Sequence, residues 1–325
     1  MPPLNRRLFV YTSIAGTAVA AASAMAQAQQ GGTASQSASP PAAGNGPLNL
    51  PEPGQRKGEY FEHGGARIFY TQAGQGSPLL LVHGYPLSGA LFARVVNGLA
   101  QRHTVITPDL RGYGQSHAPG MTDSVDVYAE DMLALMDKLG LRKAAIGGMS
   151  MGGPTVFSML KKAPERFDGL VLIDTNFKKA NPAEAGLWRG VAAMAEANGS
   201  EDIIPFLLPQ MLTGKTRMEQ KAQVEYLTAV MKQASKEALV SGAKALAARA
   251  DATELLGTIA VPTLIVVGQD DPLYAVEIAQ MMQQKIKGAQ LHVVPDAAHA
   301  AIFEKPDDAG SAIAGWAGNT RTGGK

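Results

Sequence analysis

Continuous apolar runs alternating with stretches of helical spacing constrain this chain more than any other feature. Residues 77–82, 143–149, 167–174 and 261–268 are short, nearly unbroken apolar segments, the pattern of strands buried on both faces. Residues 103–109 and 290–295 read as two further strands. Residues 89–101, 125–139 and 151–162 read as helices, the second stopped by Gly140. Strand then helix, repeated, means a mostly parallel sheet with helices on both faces, an α/β fold. Residues 66–71 alternate instead and read as an edge strand, closing a hairpin with the residues before it. The rhythm breaks at 175–257, a Met- and Ala-rich helical stretch with no strand. An insertion of that size between two sheet strands is expected to cap the carboxyl edge of the sheet, where ligands sit in such folds.

The folded body is expected over 58–318, with 319–325 as a tail. Ahead of it, Arg6 and Arg7 precede a modestly apolar, alanine-rich run and small residues at Ala24-Met-Ala26 and Ala26-Gln-Ala28. Residues 1–26 therefore resemble a twin-arginine export signal, and a periplasmic or secreted protein is expected, meeting the membrane only in transit. Residues 27–57 hold almost no large apolar side chain, too few to offset the entropy of ordering, and read as a flexible tether. The formal charge of +1 gives no reason to expect nucleic acid as a partner.

Within the body, the run 143–149 leads into Gly148-x-Ser150-x-Gly152, directly before a helix. Small residues on either side of a serine permit a strained strand-to-helix turn that exposes the hydroxyl at a helix N-terminus. With no cysteine in the chain, Ser150 is the candidate nucleophile. His83-Gly-Tyr85-Pro86 follows the run 77–82. There the backbone N–H of Tyr85, together with that of Met151, is expected to form a two-donor oxyanion hole. Asp271 leaves the sheet after 261–268 and is the chosen acid. Asp270 and Asp174, which also follow strands, stay open as alternatives. His299, in the loop after the last strand and among small apolar neighbours, is the chosen base. Nucleophile, acid, histidine is the chain order of a Ser-Asp-His constellation on a parallel sheet.

Three motifs carry a resemblance over about 59–316: His83-Gly-Tyr-Pro86, Asp109-Leu-Arg-Gly-Tyr-Gly-Gln-Ser116 and Gly148-Met-Ser-Met-Gly-Gly153. The chain resembles the α/β-hydrolases, in particular small serine esterases, 3-oxoadipate enol-lactonases and cofactor-free perhydrolases. The resemblance implies an eight-stranded, mostly parallel sheet with a helical cap inserted after the sixth strand. It implies cleavage of a small-molecule ester or lactone through an acyl-serine, with no metal or organic cofactor. The same residues would serve perhydrolysis or carbon–carbon bond hydrolysis, and a ligand-binding protein on this fold is the non-enzyme alternative. Members with an aspartate at the position of Ser150 work through an alkyl-carboxylate intermediate that a serine does not form. Arg111 is expected to tie neighbouring loops together. Trp188, Met194, Phe206, Leu207, Leu208, Met211 and Met218 are expected to make the cap an apolar, adaptable cover.

Overall fold

The computed structural model describes residues 48–121 and 123–319. The expected export signal, residues 27–47 of the expected tether and residues 320–325 lie outside the described residues. Eight strands form one sheet: Glu59–His63 (β1), Ala66–Ala73 (β2), Ser77–Val82 (β3), His103–Pro108 (β4), Ala144–Met149 (β5), Phe167–Ile173 (β6), Thr263–Gly268 (β7) and Gln290–Val294 (β8). Their order is β1-β2-β4-β3-β5-β6-β7-β8. β2 pairs antiparallel with both β1 and β4, and every other pairing is parallel.

The edge on that side is β1, and β2 lies inside the sheet, contrary to the expectation for 66–71. Alternation reports that one face of a strand is wetter than the other. It says nothing about how many hydrogen-bonded neighbours the strand has. Residues 79–82, 170–173 and 264–267 are buried without a break, as continuous apolar runs require.

Helices Ala93–Leu99 and Pro306–Asn319 pack on one another, as do Val125–Lys138 and Gly152–Lys162. The last helix reaches Asn319, one residue into the expected tail. Between β6 and β7 the chain runs through six helices: Pro182–Asn198, Ser200–Met211, Gly214–Glu219, Lys221–Met231, Lys236–Ala248 and Thr253–Leu256. This is the cap, inserted after the sixth strand.

The body also begins before residue 58. Pro53–Gln55 form a 3-10 turn, and Arg56 is buried, its Nη2 lying 2.5 Å from both carboxylate oxygens of Asp109. A low-complexity composition predicts no core, but here Arg56 meets a buried carboxylate and its backbone bonds to the Gln115 side chain, partners that lie far away in sequence.

Because β3 sits between β4 and β5, the chain reverses its direction of travel across the sheet at β3, and loops after adjacent strands diverge there. The carboxyl ends of β3, β5, β6, β7 and β8 carry, in turn, His83, Ser150, Asp174, Asp271 and, beyond a short loop, His299.

Candidate active site

Ser150 takes φ 52°, in the left-handed region that side chains rarely adopt. The turn is held on both sides: its N–H donates to the Ile173 carbonyl at 3.0 Å, and its carbonyl accepts from the Thr175 hydroxyl at 2.7 Å and the Gly153 N–H at 2.9 Å. A Cβ at Gly152 would lie 2.3 Å from the Val82 carbonyl oxygen, so the helix starts in backbone contact with β3. Only glycine permits that approach.

The Ser150 Oγ is 2.8 Å from Nε2 of His299, and Nδ1 of His299 is 2.8 Å from Oδ2 of Asp271. All three residues are buried. The other Asp271 oxygen accepts from the N–H groups of Leu273 (2.8 Å) and Tyr274 (3.1 Å), which fixes the carboxylate. The structure thus brings together the three side chains expected from the sequence, which lie far apart along the chain. With the proton on Nδ1, the imidazole presents a lone pair to the serine hydroxyl. Asp270 is exposed, and its N–H donates to the Ala297 carbonyl.

Asp174 bonds elsewhere too: its two oxygens accept from Gly268 N–H (2.7 Å) and Ala301 N–H (3.1 Å). It therefore splices the end of β7 to the turn after His299. Burial, with the Asp271 charge adding to it, pushes its carboxyl well above the usual carboxylate range. A third buried carboxylate, Glu304, accepts from Ala298 N–H at 2.7 Å and from the Thr213 N–H and hydroxyl at 2.9 and 2.6 Å. One side chain thereby joins the histidine loop to the cap. The cap helix Ser200–Met211 reinforces this joint: the carbonyls of Gln210 and Met211 accept from His299 and Ala300.

The loop after β3 lies against the serine. A Cβ at Gly84 would sit 2.7 Å from the Cβ of Ser150, so the backbone entering Tyr85 runs beside the serine turn. Met151 stands at the head of helix Gly152–Lys162. Neither the Tyr85 nor the Met151 amide is used in a hydrogen bond within the described residues. His83 holds the loop without reaching the serine. Its Nδ1–H donates to the Gly84 carbonyl (2.9 Å), and its Nε2 accepts from Leu110 N–H (2.9 Å). Burial pushes this imidazole down to about 4, so it is neutral at physiological pH. Beneath it, Asp109 accepts from Arg56, Gly89 N–H and Gln115 N–H. Arg111 pairs with Asp131 of helix Val125–Lys138 at 2.7 and 2.6 Å, the tying role expected of it.

Sequence reading missed Arg56, Glu304 and Tyr274. Glu304 had a weak signal, an acid directly after the apolar run 300–303. Tyr274 packs edge-on to His299 with ring centres 5.5 Å apart and so shields the imidazole–carboxylate pair. Of the expected cap cover, Trp188, Leu207 and Met211 are buried, and Met194, Phe206 and Leu208 are half-buried. Met218 is 82% exposed and covers nothing. The short helix Gly214–Glu219 buries only Thr216, and apolar character does not say which side of one helical turn faces inward. Among the described residues no three His, Asp or Glu side chains are grouped so as to hold a metal ion.

Residues 77–306 match the family model described as alpha/beta hydrolase fold. The chain is 30% identical over 212 residues to 3-oxoadipate enol-lactonase 1 of Acinetobacter baylyi, covering 65% of this chain and 77% of that protein. It is 29% identical to a putative non-heme chloroperoxidase of Synechocystis, covering 74% and 91%. Among solved structures, a thermophilic esterase from Thermogutta terrifontis superposes with a TM-score of 0.76 at 31% identity, covering 78% of this chain and 94% of that one.

Proposed function

The chain belongs to the alpha/beta hydrolase family, and from that premise we propose that it is a serine hydrolase cleaving a carboxylic ester or lactone through an acyl-serine. The observation that carries this reading is the unbroken hydrogen-bonded path Asp271–His299–Ser150, 2.8 Å at each link. Ser150 Oγ attacks the substrate carbonyl carbon while His299 Nε2 takes its proton. Asp271 keeps the imidazole in the productive tautomer and stabilises the cation. The carbonyl electron pair moves to oxygen, which the N–H groups of Tyr85 and Met151 receive. Collapse expels the alkoxide, to which His299 returns the proton. Water then enters, is deprotonated by the same nitrogen, and releases the acid and free Ser150.

A panel of p-nitrophenyl esters and simple lactones, run on wild type and Ser150→Ala, tests this. Wild type is expected to turn over one or both classes, and the variant to lose about 10⁴–10⁶ in kcat with its fold intact. Equal rates for the two proteins exclude the mechanism. The kinship with a putative chloroperoxidase supports a second use of the same acyl-serine. Hydrogen peroxide in place of water would release a peracid and regenerate Ser150. Peroxide-dependent halogenation of monochlorodimedone in acetate, absent from the Ser150→Ala protein, tests that reading.

A further inference from the structure

Trp188 is 4% exposed, yet its indole Nε1 has no hydrogen-bond partner among the described residues. An indole N–H taken out of water without an acceptor is costly, and buried donors of this kind call for an explanation. Its location supplies one. Trp188 lies on the cap helix Pro182–Asn198 and packs edge-on to Tyr85, with ring centres 5.7 Å apart at 84°. Tyr85 is itself pinned, its hydroxyl donating to the Leu239 carbonyl at 3.0 Å. The orphan donor therefore stands against the residue that follows Gly84, whose would-be Cβ lies 2.7 Å from the Cβ of Ser150.

Which part of a substrate would meet it follows from the two walls of the site. The alcohol departs towards His299, which protonates it, and Tyr274 covers that side. The acyl group stays on Ser150, beside the loop that bears Tyr85 and, above it, Trp188. Resting on the assignment of Ser150 as nucleophile, we propose that the Trp188 indole N–H is the cap's hydrogen-bond donor to the substrate. The preferred acyl group then carries a second oxygen acceptor, such as a ketone, a few bonds from the scissile carbonyl. Substrate binding satisfies the buried donor, and an all-methylene acyl chain leaves it unpaired.

The chain has only two tryptophans, so indole NMR resolves the question directly. Trp316 packs against β6, where a Cβ at Gly169 would touch its ring, and serves as internal reference. Ser150→Ala protein labelled with [15N]tryptophan is titrated with p-nitrophenyl 4-oxopentanoate and 5-oxohexanoate, each against its pentanoate or hexanoate counterpart. The Trp188 indole proton is expected to move downfield with at least one oxo-ester, and less with its counterpart, while Trp316 stays still. In the protein with Ser150 intact, Trp188→Phe is expected to lower kcat/KM for that oxo-ester about five- to tenfold more than for its counterpart. An indole unmoved at saturation, or moved equally within each pair, overturns the proposal, as does an equal loss on both esters. In the last case the ring only packs against Tyr85. The outcomes separate from those of the hydrolase assignment: turnover with an unmoved indole removes the donor alone. A selective indole shift in a protein whose wild type cuts no ester supports the donor and removes the hydrolase.

Discussion

The carboxyl rim of the sheet and the cap above it treat their buried polar groups differently. At the rim, backbones meet with no space between them. Gly152 starts its helix against the Val82 carbonyl, and Gly84 lies against the Cβ of Ser150. The buried carboxylates there have their oxygens occupied, Asp174, Asp271 and Glu304 each accepting two or more hydrogen bonds. In the cap, Gly242 is just as tightly packed, a would-be Cβ lying 2.1 Å from the Tyr113 hydroxyl, but the Trp188 indole has no hydrogen-bond partner among the described residues. The contrast separates two tasks. Holding a hydrogen-bonded Ser-His-Asp path to a few tenths of an ångström demands a saturated, incompressible surround, whereas admitting a ligand demands polar groups left free for it.

Substitutions can break that contrast, and the largest effect belongs to the relay. Asp271→Asn is expected to lower kcat by about 10⁴, because an amide no longer selects the Nδ1–H tautomer. Circular dichroism and a melting curve near wild type confirm that only the relay changed. A loss of less than tenfold would transfer the acid role to another residue. Next is Gly152→Ala, whose new methyl would overlap the Val82 carbonyl. Destabilisation of about 3 kcal/mol in urea unfolding is expected, together with loss of turnover.

A smaller effect is expected from pH. Burial moves His83 from 6.5 to about 4, so between those values the unfolded chain binds a proton that the folded one refuses. Stability contributed by the neutral imidazole is present above 6.5 and is lost as pH falls towards 4. Wild type should lose about 2 kcal/mol of unfolding free energy from pH 7 to pH 5 that a His83→Gln variant does not lose. Parallel curves for the two proteins would show that His83 is not the group responsible. The smallest effect should fall in the cap: Gly190→Ala, exposed inside a helix with open space around it, is expected to stabilise by about 0.5–1 kcal/mol and leave turnover alone.

Much of this was legible in the order of residues. Period and composition mark strands and helices because burial on two faces, on one face or on a stripe leaves distinct patterns. The strands expected at 77–82, 103–109, 167–174 and 290–295 match β3, β4, β6 and β8 to within a residue at each end. Ser150 and its flanking glycines are local, since a tight turn is made by neighbours in sequence. Edge against interior was not legible for β2, because hydrogen-bonded neighbours come from distant segments. Nor was Arg56, which sits in a stretch whose composition resembles linker and is ordered by Asp109, 53 residues away.

By itself the sequence determined the α/β alternation, the place of the cap and which serine stands on the strand-to-helix turn after β5, for each of these follows from short-range pattern and backbone sterics. It left three aspartates as candidates for the acid. Only the tertiary structure set them apart, with Asp271 against His299, Asp174 across the two loops and Asp270 in solvent. A carboxylate's role depends on which donors surround it, and at this rim those donors come from strands that meet only when the sheet closes.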